Sequence, residues 1–473
     1  ITLSINGLRQ HSSSVGCGSG IPGGDFYPAL NVWITSTPPP STWNDTSTPP
    51  NVIAHPDLTY VHNQPYLFDQ TILPVEGPGH GRPAVVSLGD STISGEGGRW
   101  AGNTNTANTD RVDAGAQSYW DTPTGESIPD CHRSKSAEVH IGDGYLSANF
   151  ACSGAETSSY EWHYPQGWRF KPGVDSQCVD SSAAPHVCSE PGQLVHLYQY
   201  AKTHNVKAVV VAVGANDFGF NDVVKQCMEK YVVMHFAGTG GYCYNSGVIQ
   251  SAITSDKEQK VQDDIWESLR QLTVAMEQAG YNKDQYTVIL QNYWSAIPDD
   301  DDIRIPDTLY DRQELGGCPL LNPDATALND ELLPAINNTV LAAARRFRAE
   351  PYWPKIRLLD VSDALDGHRL CEKGVGDIED VLPLTAKGTD PSSADKLEWV
   401  TQARLDVVGT PYTLAEGGHA NYWGQLAERN CLRQVINNGA TRDGRCVPSR
   451  GGGVDQDGEP NMSLQALAPP YTW

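Results

Sequence analysis

The chain has 473 residues, long for one compact domain, and a hydrophobic content of 39%, enough to bury a core. Its 33 Lys+Arg against 57 Asp+Glu leave a net charge of −24. Such a surface repels phosphate backbones and anionic membranes, which argues against a nucleic-acid partner but leaves room for a small-molecule or lipid ester.

Residues 1–80 are rich in Pro, Thr, Ser and Asn and read as a small β-rich module or an extended arm. A main α/β domain is expected over 81–448. Its apolar strand candidates are 84–88, 208–213, 286–291 and 356–361. Helical patterns are expected over 194–203, 257–279, 325–348 (with Pro334 ending or kinking a turn) and 421–437. Strands alternating with helices predict a central parallel sheet covered on both faces, a three-layer α/β/α fold. The stretches 97–190 and 220–255 show no strong period and carry several cysteines, so they are read as disulfide-braced insertions. The Gly- and Pro-rich segment 449–473 is expected to be an extended tail.

Eleven cysteines are dispersed through the chain, none in the paired CxxC spacing of a zinc site. They point to an oxidising compartment, hence a secreted protein. With no Met or basic leader at its start, the sequence is read as a mature form lacking its signal peptide. No apolar run is long enough for a membrane span. Local spacing suggests the pairs Cys131–Cys152, Cys178–Cys188, Cys227–Cys243, Cys318–Cys371 and Cys431–Cys446, leaving Cys17 over. The acidic runs Asp299–Asp302 and Asp455-Gln456-Asp457 lack the full ligand pattern of a calcium loop, so no metal and no cofactor is expected.

The most informative segment is Ser87-Leu88-Gly89-Asp90-Ser91, a buried-strand run ending in a tight turn. A serine at the C-terminal end of a parallel strand sits where open α/β sheets place their chemistry. Taken alone, Gly-Asp-Ser is also an ordinary turn. Three later segments look like strand-end loops. In Cys152-Ser153-Gly154, the glycine N–H is available to a ligand, or the glycine simply turns the chain. In Gly214-Ala215-Asn216-Asp217, the asparagine amide suits a developing oxyanion, though asparagine also caps helices. In Glu416-Gly417-Gly418-His419, a carboxylate three residues upstream suits an imidazole it would orient.

Together, in this order, Gly89-Asp90-Ser91, Gly154, Gly214-Ala215-Asn216-Asp217 and His419 resemble the SGNH (GDSL-type) hydrolase superfamily. The flanks Cys131-His132-Arg133-Ser134, 151–155 and 421–431 are similar to secreted actinobacterial members. The resemblance implies Ser91 as nucleophile and His419 as general base. It implies an oxyanion hole made by the Ser91 N–H, the Gly154 N–H and the Asn216 side chain. The chain departs from the usual last block, Asp-x-x-His, by carrying Glu416, so either Glu416 or a backbone carbonyl is left to orient His419, and Glu416 is favoured. The implied activity is that of a secreted esterase or lipase. A carbohydrate O-acetyl esterase, an acyltransferase or a non-catalytic binding protein remain as alternatives, and oligomeric state is not legible.

Overall fold

Six strands of one seven-stranded sheet run parallel, and their order decides where a ligand can bind. The computed structural model describes residues 78–473, apart from 107–108, 165–166, 181–187, 309, 406–410, 414 and 438–440; of residues 1–77 it describes only the strands Ser4–Ile5 and Leu8–Arg9. The chain forms two compact units, Ile1–Val75 and Glu76–Trp473. In the first, Ser4–Ile5 pairs antiparallel with Leu8–Arg9. The reading of residues 1–80 as a β-rich module otherwise falls outside the described residues, as does Cys17.

The sheet of the second unit is built from β1 (Pro83–Gly89), β2 (Leu146–Asn149), β3 (Asn205–Ala212), β4 (Thr287–Gln291), β5 (Lys355–Asp360), β6 (Gly444–Pro448) and β7 (Met462–Gln465). Their order is 7-6-5-4-3-1-2, with only β7 antiparallel. The central strands β1, β3 and β4 are buried along nearly their whole length, as a sheet covered on both faces requires. Helix α1 (Ser91–Ser94) follows β1, and α2 (Gln193–Ala201) precedes β3. Helix α3 (Phe220–Ala237) is followed by α4 (Ser255–Gln278), α5 (Leu333–Arg348) and α6 (Tyr422–Ile436). The α4 helix packs on α2 and α5, whereas α6 packs across β5, β6 and β7. The fold is an α/β sheet with helical layers, and among the described residues no helix is long and apolar enough to cross a membrane.

Two features differ from the sequence expectations. The stretch 220–255, expected to be irregular, contains the 18-residue α3, whose Val223, Cys227, Met228 and Tyr231 are buried at helical spacing, a period the sequence reading passed over. The segment 449–473 contributes β7 to the sheet edge rather than being wholly an extended tail. Pro334 lies inside one unbroken helical run, 322–348, directly after the π-turn at Leu328–Leu332, so the regular ladder is interrupted where the proline lacks its N–H, in keeping with the expected ended or kinked turn. Disulfides join Cys131–Cys152, Cys227–Cys243, Cys318–Cys371 and Cys431–Cys446. Cys178 and Cys188 lie on two antiparallel strands whose side chains are outside the description.

The core holds one unusual polar contact. Gln291 Nε2, at the end of β4, donates to Glu138 Oε2 at 3.0 Å and to Glu428 Oε2 at 2.9 Å. All three residues are fully buried. Burial pushes the Glu138 carboxyl up to about 7, and burial plus the facing Glu138 raises Glu428 well above the usual carboxylate range. The pair therefore holds a proton that the unfolded chain would lose at lower pH. A raised folded-state pKa contributes stability that is present in acid and lost as pH rises through about 7. Glu138→Gln, which keeps a hydrogen there permanently, is expected to raise the thermal midpoint by a few degrees near about pH 8 and to change it little near about pH 5. Thermal melts at the two pH values check this.

Candidate active site

Strand order reverses between β1 and β3, and the crevice outside their C-terminal ends is where open α/β sheets bind ligands. Ser91 stands at that point. Gly89 closes β1 with φ +137°, and a Cβ on it would lie 1.9 Å from the Ala212 carbonyl oxygen of β3, so no other residue fits. The Gln193 side chain grips the same glycine from both sides: Nε2 donates to Gly89 O at 2.8 Å, and Oε1 accepts from Gly89 N at 2.7 Å. Asp90 N donates to Ala212 O at 3.0 Å. The Asp90 carboxylate caps α1 by accepting from Thr92 N at 3.0 Å, and it accepts from Tyr293 Oη at 2.6 Å. Burial pushes Asp90 up to about 6 against these hydrogen bonds. Its oxygens are committed to holding the turn that presents Ser91.

His419 reaches Ser91 from the far end of the sequence: Nε2 and Ser91 Oγ are 2.7 Å apart. Thr401 and the turn 416–419 hold the histidine backbone, with Thr401 N donating to His419 O at 2.8 Å. Burial lowers the imidazole below its ordinary value, against the charge of Glu96 and the carbonyls of Gly417 and Glu416. A neutral ring that meets a serine hydroxyl through Nε2 can accept its proton.

Glu416 is not the partner of that ring. Its Oε1 accepts from Arg99 Nε at 2.6 Å and from Tyr119 Oη at 2.8 Å, while Oε2 accepts from a second Arg99 nitrogen at 3.1 Å and from Thr413. His419 Nδ1 is buried, and no side chain pairs with it. The sequence expectation is therefore corrected. A guanidinium fork recruits a buried carboxylate more strongly than a neutral imidazole N–H does, and the longer glutamate turns away toward Arg99. The carbonyls of Gly417 and Glu416 lie against the ring instead. Glu416→Gln is expected to cost less than tenfold in kcat but about 3 kcal/mol in stability, because it leaves Arg99, with a side chain 14% exposed, short of its main partner. Steady-state rates measured beside a denaturant titration separate the two effects.

The two remaining loops are drawn to the end of β1 by backbone hydrogen bonds. Cys152 N donates to Gly89 O at 3.0 Å, which carries Gly154 alongside, and the Cys131–Cys152 bridge backs the turn. Tyr160 Oη donates to Gly154 O at 2.8 Å, fixing the orientation of that peptide. From the β3 end, Asn216 Nδ2 donates to Ala155 O at 2.9 Å, and its Oδ1 accepts from Asn221 at 3.1 Å. These two contacts settle which end of the amide is nitrogen. An amide nitrogen has two hydrogens, so one remains for a ligand. Asp217 next to it accepts from the Thr157 N–H and hydroxyl, tying the second and third loops again.

Four residues near His419 carry no signal in the catalytic blocks: Glu96, Arg99, Tyr119 and His132. Only His132 stood close to anything notable, as the neighbour of Cys131. Gln193 stands one residue ahead of the helix expected over 194–203 and carried no signal of its own.

No family model matches the sequence, and no curated protein matches it. Among solved structures, similar chains include the extracellular lipase of Streptomyces rimosus (14% identity, 74% of this chain and 99% of that one, TM-score 0.39). The phospholipase A1 of Streptomyces albidoflavus is similar at 16% identity over 75% of this chain and 99% of that one, with TM-score 0.40. Est24, a carbohydrate acetylesterase from Sinorhizobium meliloti, is similar at 14% identity over 59% of this chain and 83% of that one, with TM-score 0.23.

Proposed function

We propose that the chain is a secreted serine hydrolase of carboxylic esters, its catalytic domain lying in residues 81–448. The observation that supports this most directly is the 2.7 Å contact between Ser91 Oγ and His419 Nε2 at the point where strand order reverses. Ser91 Oγ attacks the ester carbonyl as His419 Nε2 takes its proton. The carbonyl oxygen becomes an oxyanion, received by the N–H groups of Ser91 and Gly154 and by the Asn216 amide. His419 returns the proton to the departing alkoxide, leaving an acyl-Ser91 ester and a free alcohol. Water, deprotonated by His419, then releases the acid and restores Ser91. Four disulfides support an extracytoplasmic location.

A fluorophosphonate probe is expected to label Ser91 alone, and p-nitrophenyl esters graded in acyl length to be hydrolysed. Labelling at another residue overturns the reading. Preference for acetylated sugars, or net transfer to an added alcohol, reassigns the substrate but keeps the site. EDTA is expected to leave the rate unchanged, and a loss restored by calcium or zinc counts against a site made of side chains and backbone donors alone. Because His419 is held below the ordinary imidazole range, the acid limb of kcat/KM is expected below about pH 6.5.

A further inference from the structure

We infer that Glu96, ion-paired with His132 in the loop whose Gly97 packs on His419, is the carboxylate whose charge stabilises protonated His419 during ester cleavage, in the role that Glu416 does not fill. The inference rests on the reading of Ser91 and His419 as nucleophile and base.

Glu96 follows α1 directly, and its N–H donates to Ser91 O at 3.2 Å. Its neighbour Gly97 touches the base: a Cβ there would lie 3.3 Å from His419 Cβ and 3.1 Å from Ala420 O. Glu96 is fully buried. A buried carboxylate needs a reason to stay ionised, and His132 supplies it, with Nδ1 at 2.6 Å from Glu96 Oε2. Ser153 hydrogen-bonds the same carboxylate, and the carbonyls of Gly417 and Glu416 face the His419 ring. A buried carboxylate thus lies one residue from the glycine that packs on His419, where a positive charge forms and disappears in each catalytic cycle.

The electrostatics agree with the geometry. Burial pushes Glu96 up, but the hydrogen bond and charge of His132 and then the charge of His419 bring it below the usual carboxylate range. Against burial, Glu96 is the foremost group favouring charged His419, ahead of the backbone carbonyls, while His132 opposes it. His132 is itself held up to about 8, chiefly by Glu96 against burial, with Glu126 and Glu416 adding to it. Glu126 accepts from His132 N at 2.6 Å, and the Tyr119 ring stacks on the imidazole at 4.6 Å. Beyond Tyr119, Glu416 is neutralised by Arg99, which also approaches Asp113 at 3.6 Å. Glu96 therefore remains the carboxylate beside His419 that is not matched by a guanidinium. No proton passes to it. The proton taken from Ser91 stays on His419 until the alkoxide leaves, and the negative charge nearby lowers the energy of that interval.

The test is the pH profile of kcat/KM, whose acid limb reports the base in the free enzyme. Glu96→Gln is expected to lower kcat by about tenfold to a hundredfold with little change in KM, and to move the acid limb to lower pH. The double variant Glu96→Gln/His132→Gln, which removes the buried pair whole and strands no charge, is expected to move the limb in the same direction. A merely structural role would lower activity without moving the limb. An unmoved limb in a folded Glu96→Gln overturns the inference, and the double variant decides if Glu96→Gln alone does not fold. Fluorophosphonate labelling of the unmodified protein keeps the two readings apart: absence of label on Ser91 defeats the nucleophile assignment, whereas a labelled Ser91 with an unmoved limb defeats the role of Glu96.

Discussion

Ser91→Ala is expected to abolish ester hydrolysis, with a loss in kcat of about 10⁶-fold, while the protein stays folded. The turn that presents Ser91 does not depend on the hydroxyl. Gly89 is gripped by Gln193, Asp90 caps α1 through Thr92 N, and Tyr293 fixes Asp90 from the opposite side. The Ser91 hydroxyl has one side-chain partner, His419, at 2.7 Å. Removing it deletes the nucleophile and leaves an imidazole that is already neutral, so no buried charge is stranded. His419→Ala is expected to match that loss, and the double variant to be no worse than either single one, because base and nucleophile act as one unit. Thermal midpoints within about 2 °C of the parent would confirm that chemistry alone was removed. Additive losses, or full activity in Ser91→Ala, would place the nucleophile elsewhere.

What sequence could say about this site followed from how each residue is held. Strands β1, β3, β4 and β5 were legible because strands buried on both faces must be continuously apolar. Strands β2, β6 and β7 were not. β2 is the half-buried four-residue edge Leu146–Asn149, β6 pairs with β5 at only two positions, and β7 is four residues inside a segment that reads as a Gly- and Pro-rich tail. Ser91 and His419 could be proposed from the sequence because each carries its chemistry in its residue type and lies in a recognisable block. Glu416 shows the limit of that reasoning. Acid-x-x-His spacing fixes where a carboxylate begins, but not which donor claims it, and Arg99, 317 positions away, cannot be paired with it from the sequence. Glu96 is invisible, and the pairing of His132 with it unreadable, for the same reason. Their contact closes across 36 positions through a loop held by the Cys131–Cys152 bridge.

Asn216→Ala is expected to lower kcat by about 10²–10³-fold, the cost of one oxyanion donor, with KM nearly unchanged. The argument turns on what the amide does before and during the reaction. At rest, one Nδ2 hydrogen goes to Ala155 O at 2.9 Å, and Oδ1 is fixed by Asn221. The amide is therefore aimed before substrate arrives, and its second hydrogen strengthens its bond only as the carbonyl oxygen gains charge. An interaction made mainly in the transition state appears in kcat rather than in KM. The same contact to Ala155 O also joins the second and third loops, so a purely structural role makes a competing expectation: KM, kcat and thermal stability would all deteriorate together. A boronic acid that forms a tetrahedral adduct with Ser91 separates the two. If Asn216 supports the oxyanion, adduct affinity falls in parallel with kcat/KM, while binding of the product acid, which is planar at carbon, stays close to that of the parent. If both affinities fall alike, Asn216 is a loop tie, and the oxyanion would rest on the N–H groups of Ser91 and Gly154.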